Sequence, residues 1–301
     1  MSFEQAALDL SGELAAELEA NEPVHERVRP QDIPTRFSLL KTMALSPAHY
    51  LEQCQYPQDD SLASRLGKMM PGIHKRTEAL RFGTAVHAML LGNKGRVARF
   101  GGRRAGNVWV NFQKEAAAAG AIEILNDREY LQAEGVAGAI MRNDLAMRLL
   151  FDGTDVEQRI DWTYVGKPCR STPDARGINW IADLKTAQTA EPAAFIRNAV
   201  KLFYHAQAAL YCEAIESTGK PRPVDSYVIA VEKSRPMPVS VLRFTERTLE
   251  QGMKLCRGWV ERLNICEATD EWPEYVSEIA PFDIGGDEPL ELEWNGRKFE
   301  V

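Results

Sequence analysis

Near residue 155 the spacing of the apolar residues changes, and this change restricts the architecture more than any other feature of the chain. Upstream of it, FSLLKTMAL (37–45), SPAHYLEQC (46–54) and RTEALRFGTAVHAMLLG (76–92) repeat apolar residues every three or four positions, as helices do. Ser46 stands as an N-cap with Pro47 at the first helical position, and Gly92 closes the third segment. The Gly/Arg-rich NKGRVARFGGRRAGN (93–107) reads as a mobile loop, and DREYLQAEGVAGAIMRNDLAMRLL (127–150) as one helix. Downstream the period falls to two. VEQRIDWTYV (156–165), KPCRSTPDARG (167–177) and INWIADLKTA (178–187) predict successive strands with tight turns at Gly166 and Gly177. Helices at 191–199 and 202–218, the strands VDSYVIAVE (224–232) and PVSVLRF (238–244), and a long helix over 245–268 follow, before an acidic, proline-containing tail. This order predicts one mixed α/β domain with a helical N-terminal part.

Charges sit where the strands should be apolar. PDARGINWIADLKTAQ (173–188) places Asp174 on one strand, and Asp183 and Lys185 on the next. Period two puts Asp183 and Lys185 on one face and Leu184 on the other. If Asp174 faces the same way, two carboxylates and an ammonium converge. Paired carboxylates in a partly dry site repel unless neutralised, and a hard divalent cation does this with oxygen ligands. Such a cation can activate a water, while a nearby lysine orients that water or stabilises charge on a phosphate. The D-x-K triplet alone is a weak signal, because a surface hairpin with a solvated Asp183–Lys185 pair shows the same letters.

Composition narrows the function classes. In 301 residues no apolar run approaches a membrane span, and the acidic N-terminus lacks the basic n-region and apolar core of a signal peptide. Five scattered cysteines (Cys54, Cys169, Cys212, Cys256, Cys266) form no C-x-x-C pair. They argue for a reducing cytoplasm and against a disulfide framework, structural zinc or an iron–sulfur cluster. The net charge of −7 argues against non-specific nucleic-acid binding, but its distribution does not. Arg65 to Arg104 holds ten Lys/Arg and one acid, between an N-terminal 32 residues with eight acids and a C-terminal 41 with twelve. A phosphate backbone responds to local charge, so the middle stretch is either a solvated basic face or part of a DNA path.

PDARGINWIADLKTA resembles the PD-(D/E)-x-K nuclease signature, with Asp174 as the first acid, Asp183 as the second and Lys185 as the lysine. YHAQAALYCEAI (204–215) carries Gln207 and Tyr211 at i, i+4 on one helical face, similar to the Q-x-x-x-Y element of the RecB-like branch. FGTAVHAMLLG (82–92) resembles its G-x-x-x-H element through Gly83 and His87, and FSLLKTMALSPAHYLEQC is similar to the S-x-L-K…S-P-x-H-Y element of RecE-type exodeoxyribonucleases (exonuclease VIII), often of prophage origin. The resemblance runs from about Ser38 to Phe244 and covers only the nuclease part of those longer chains. Asp183 stands where many relatives have Glu.

That resemblance implies an α/β fold of the restriction-endonuclease-like, PD-(D/E)xK type, with a central mixed β-sheet flanked by helices and a helical N-terminal part. It implies a 5′→3′ exodeoxyribonuclease on linear double-stranded DNA, leaving 3′ single strands for a RecT-type annealing protein, in the cytoplasm of a bacterial or phage-infected cell. Asp174, Asp183, the Leu184 backbone carbonyl and His87 would hold Mg²⁺ or Mn²⁺. Lys185 would position the attacking water or stabilise the scissile phosphate, and Gln207 and Tyr211 would orient DNA. The same family resemblance implies a homotetrameric ring. Domain boundaries follow as an acidic segment (1–35), the exonuclease domain (36–270) and an acidic tail (271–301).

Ser38, Lys41, Ser46, His49, Arg81, Arg103, Arg104 and Trp109 are further candidates for touching DNA. Ser46 is explained by capping, although a helix N-terminus also suits a phosphate. Arg103, Arg104, Trp109 and Phe112 mix cations with aromatic rings, as in surfaces that stack unpaired bases. Glu157 reads as a solvent-facing strand acid, with help to a second metal as the alternative. Rival readings are another RecB-like nuclease (an endonuclease or a 3′→5′ enzyme) and a catalytically silent DNA-binding protein.

Overall fold

The computed structural model describes residues 29–55, 77–92, 96–152, 155–275, 291–294 and 297–300. Most of the acidic N-terminal segment, the bases Arg65, Lys68, Lys75, Arg76 and Lys94 of the basic stretch, and residues 276–290 of the tail lie outside the described residues. In chain order the elements are α1 (Phe37–Leu40), α2 (Pro47–Gln55), α3 (Glu78–Leu90), β1 (Val97–Arg99), α4 (Gly106–Ala118), β2 (Glu123–Leu125), α5 (Asp127–Met141) and α6 (Asp144–Phe151). Then come β3 (Asp155–Val156), β4 (Ile160–Tyr164), β5 (Lys167–Ser171), β6 (Ala175–Arg176), β7 (Trp180–Ala187), α7 (Pro192–Lys201), α8 (Tyr204–Ser217), β8 (Asp225–Glu232), β9 (Val239–Arg243), α9 (Glu246–Thr269), β10 (Glu291–Trp294) and β11 (Arg297–Glu300).

The central sheet runs β3-β6-β7-β8-β9. Only the β7–β8 pair is parallel, with Asp183 beside Val228 and Lys185 beside Ala230, so the sheet is mixed as expected. Alternation on β7 sends Ala182 and Leu184 into a core with Phe82, Ala85 and Val86 of α3 and Val136 and Ile140 of α5. Ile181 goes to the opposite face, against Tyr211 and Ile215 of α8. The N-terminal helices form a separate layer in which Phe37, Leu40, Met43 and Tyr50 pack on Trp259, Val260 and Leu263 of α9.

Several sequence expectations change in detail. The strand expected over 167–177 breaks at 172–174, where Pro173 cannot donate to a ladder. β5 pairs with β4 in a sheet of its own, through a two-residue turn in which Val165 (φ 47°) and Gly166 (φ 78°) are both left-handed. β6 pairs with β7. The strand expected over 156–165 likewise splits into β3 and β4 around Glu157, whose φ is 48°. The helix expected over 127–150 ends at Met141, and Asn143 caps a new one by accepting from Ala146 N at 2.9 Å. The Gly/Arg-rich stretch contains β1, which pairs in parallel with β2, and α4 follows it.

Candidate active site

The site forms where the sheet leaves one edge of β7 open. β6 pairs only with Ile181 and Ala182, so from Asp183 onward that edge of β7 has no strand beside it among the described residues. Side chains take the strand's place. Leu184 N donates to Asp174 Oδ2 at 2.7 Å, and His87 Nε2 donates to Leu184 O at 2.9 Å. α3 lies close to β7 here: a Cβ on its Gly83 would be in ordinary contact with Thr186 Oγ1, at 3.4 Å. His87 is one turn further along, and its Nδ1 lies 3.4 Å from Asp174 Oδ1. The break after β5 places Asp174 in this gap, rather than on a strand face.

On the α8 side, Lys185 Nζ stands against Asp183 Oδ2 and lies 4.9 Å from the centre of the Tyr204 ring. Asp183 Oδ2 is shielded from solvent and faces Lys185 Nζ. Gln207 Nε2 donates to Tyr211 Oη at 2.9 Å, as their i, i+4 spacing on α8 allows. Asp183, Tyr204, Gln207 and Tyr211 line one small hollow.

Burial and charge set the protonation states. For Asp174, burial favours the neutral acid, but the charge and hydrogen bond of His87, then Lys185 and the Leu184 N–H, outweigh it and hold the carboxyl below its ordinary range. Burial also raises Asp183; Lys185 opposes the rise, the Asp174 charge adds to it, and the result is upward. In Lys185 burial works against the charge, but Asp183 and Asp174 outweigh it and raise the ammonium. His87 behaves likewise: burial lowers it, and Asp174 carries it above the ordinary imidazole value. Tyr211 is raised well above the phenol range by burial and then by both aspartates. Lys185 and Tyr211 are therefore hydrogen-bond donors at neutral pH, while Asp183 is an acid that gains from a cation.

The donor set fits a divalent metal. His87, Glu157 and Asp174 each offer an atom within 4.8 Å of the others. The Leu184 carbonyl stands in the same gap, while the buried Asp183 carboxylate lies outside that group, against Lys185; both are the oxygen donors that a hard cation takes. Imidazole suits Mn²⁺ better than Mg²⁺. Glu157 enters this group because its left-handed backbone turns it out of the strand register and its N–H donates to Asp174 O at 3.0 Å. Sequence periodicity had left it on a solvent-facing strand. Tyr204 was also missed, since nothing in its spacing distinguishes it from a packing residue.

The remaining candidates are placed less uniformly. Lys41 is half-buried, and its ammonium is lowered by burial and then by Lys185, which puts it near the site. Ser38 is exposed on the preceding turn. Ser46 is fully buried, with Oγ 2.7 Å from His49 Nδ1 and accepting from His49 N at 3.3 Å, which is the capping role; its hydroxyl is not on the surface. His49 is exposed. Arg81 is held by Glu123, at 2.8 Å, and by the Ile124 carbonyl, also at 2.8 Å. Arg104 is held by Glu129 and by the same carbonyl, both at 3.0 Å, and lies over Trp109. Trp109 and Phe112 pack on Phe100 at ring distances of 5.0 and 4.7 Å, while Arg103 is exposed.

A mixed sheet whose opened strand carries D-x-K, with an aspartate and a histidine closing its free edge, is the arrangement of a PD-(D/E)xK-like domain. The PDDEXK-like domain of unknown function (DUF3799) matches residues 37–282, and the chain belongs to that family. No curated protein matches the chain. Among solved structures, a protein of Eubacterium rectale described as a candidate exonuclease is 14% identical with a TM-score of 0.55, over 88% of this chain and 96% of that one. It shares the fold. An alkaline exonuclease of Laribacter hongkongensis is 12% identical with a TM-score of 0.29, over 62% of this chain and 89% of its own. No helix among the described residues is long and apolar enough to cross a membrane.

Proposed function

We propose that the protein is a metal-dependent 5′→3′ exodeoxyribonuclease on linear duplex DNA. The observation that carries this reading is the convergence of His87, Asp174, the Leu184 carbonyl and the Asp183–Lys185 pair at one open strand edge. His87, Asp174, Asp183 and the Leu184 carbonyl would hold the metal, Mg²⁺ or Mn²⁺, with Glu157 as a further ligand. The metal would supply an activated water and charge neutralisation at the phosphate. Lys185 keeps its proton, so it serves as a fixed positive donor toward the water or a phosphate oxygen rather than as a base. Tyr211 accepts from Gln207, which leaves its hydroxyl proton free to donate, and the two would orient DNA near the scissile phosphate.

The S-x-L-K…S-P-x-H-Y element supports the RecE-type branch, and with it a prophage-type enzyme that leaves 3′ single strands for a RecT-type partner in the cytoplasm of its host. The exonuclease domain would span residues 36–270, assembled as a tetrameric ring. Digestion of 5′-labelled and 3′-labelled linear duplexes beside a closed circle, with and without Mg²⁺ or Mn²⁺, tests the activity. The expected result is metal-dependent release of the 5′ label first, with the circle intact. A nicked circle would make it an endonuclease, early loss of the 3′ label would reverse the polarity, and no cleavage with either metal would leave a DNA-binding protein. Light scattering at the 33.7 kDa monomer mass would remove the ring.

A further inference from the structure

A second polar cleft, of about 290 Å³, opens between the first turns of α3, the start of α5 and the segment after β8. Lys233 is its distinctive residue. Its ammonium lies over the Phe82 ring, 5.8 Å from the centre, and its backbone carbonyl accepts from Gln132 Nε2 at 2.9 Å. Among the described residues no carboxylate lies within ion-pair distance of it. Two acids line the cleft, but Glu129 is held by Arg104, and Glu78 is exposed at the rim in the first turn of α3. Arg81 is held by Glu123. Burial alone acts on the Lys233 ammonium and lowers it; neither Glu78 nor Glu129 contributes. A partly desolvated ammonium without a counter-charge is costly unless an anion arrives to complete it.

Two rulers in the structure locate this charge relative to the metal ligands. Phe82 precedes His87 by five residues on α3, about 7.5 Å along the helix axis. Lys233 lies three residues beyond Ala230, the β8 partner of Lys185, which is about 10 Å of strand. Successive phosphates of one strand wind around the duplex as well as advancing about 3.4 Å along its axis, so they stand further apart than that advance and these distances amount to one or two nucleotides.

We propose that the Lys233 cleft, with Phe82 beneath the ammonium and Gln132 beside it, is a phosphate subsite that holds the substrate strand one or two nucleotides from the bond being cut. This rests on the reading of the protein as a DNA nuclease. Lys233 is a binding residue in this scheme and takes no part in bond cleavage. Its ion pair with the phosphate would be water-poor, which makes it stronger than a contact from an exposed lysine such as Lys201.

Lys233→Met keeps the stem that packs on Phe82 and removes the charge, so the fold should be retained. Binding is read by fluorescence anisotropy of the full chain on a labelled duplex in Ca²⁺, and cleavage in Mg²⁺ or Mn²⁺, over a salt series. The substitution should weaken duplex binding three- to tenfold, flatten the log–log salt slope by about one unit, and leave kcat at saturating DNA within twofold. A neutral methylphosphonate walked along the substrate strand should cost the parent the same factor at one internal position one or two nucleotides from the cut. That position should cost Lys233→Met nothing further. If the sensitive position is the terminal phosphate, the subsite reads chain ends and the internal placement is wrong. Unchanged affinity and slope, or a methylphosphonate penalty that simply adds to that of Lys233→Met, overturns the proposal. Absence of cleavage combined with the predicted loss of binding would retain the subsite and reject the nuclease reading.

Discussion

Asp174→Asn is expected to abolish cleavage while leaving the metal-free protein about as stable as its parent. Asparagine keeps the volume of aspartate, and its oxygen can still accept from Leu184 N, which lies 2.7 Å from Asp174 Oδ2. What it removes is charge. The backbone bond becomes neutral, a loss of about 1 kcal/mol by the difference between charged and uncharged acceptors. His87 loses the carboxylate 3.4 Å from its Nδ1. In the other direction, Asp183 loses the neighbour whose charge adds to a burial that already disfavours its ionised form. The opposing terms are of similar size, so the melting temperature in EDTA should move by less than about 4 °C. For the reaction there is no such offset. Loss of a charged group that faces the metal and phosphate should cost about 4 kcal/mol of transition-state stabilisation, on the order of 10³-fold in rate. The assay is initial-rate digestion of an end-labelled duplex at saturating metal, paired with a thermal melt of the same preparation. A rate within tenfold of the parent would refute the site. A fall in melting temperature beyond about 10 °C would mean that Asp174 holds the sheet edge together rather than serving a metal.

Gly252→Ala probes the packing behind the site, because a Cβ there would stand 2.4 Å from the His205 carbonyl oxygen and 2.8 Å from Ala206 Cα, forcing α8 and α9 apart. Overpacking of this kind costs about 1–3 kcal/mol or more, so a melting temperature within about 1 °C of the parent would contradict the close crossing. His205 is buried, its Nδ1 has no partner among the described residues, and burial lowers its pKa. The unfolded chain therefore takes up that proton first, so the stability gained by keeping the ring neutral is complete above the ordinary imidazole range (about 6.5) and is lost as pH falls below it. His205→Leu should reduce the drop in melting temperature between neutral and mildly acidic buffer; an equal drop in both proteins would place the acid sensitivity elsewhere.

Much of the site was legible in the sequence, and the reason is local. Asp183 and Lys185 share a face because a strand alternates, and Gln207 and Tyr211 meet because a helix turns in under four residues. The turn that joins β4 and β5 follows from Gly166. The misses occur where short elements or distant partners decide. β1 and β2 are three residues each, too brief to show a period, and are defined only by each other. The step from α5 to α6 turns on Asn143 bonding to Ala146. Nothing in the spacing around Arg81 and Arg104 shows that Glu123 and Glu129 hold them.

The chain's own pattern determined the class of fold, the strand that carries Asp183 and Lys185 and the helix that carries Gln207 and Tyr211, because periodicity is a property of neighbours along the backbone. It also named the histidine, through a spacing rather than a contact. Only the tertiary structure decided how these parts meet. The early end of β6 frees the edge of β7, and Asp174 and His87, 10 and 97 residues away from Leu184, become the partners of its amide and carbonyl. Glu157 joins them through a backbone conformation that periodicity does not encode. Among the described residues, Lys233 is left without a counter-charge by where α3 and α5 happen to pass. Each of these depends on which backbone groups and charges remain unpaired after distant segments pack, and that balance does not exist until the chain has folded.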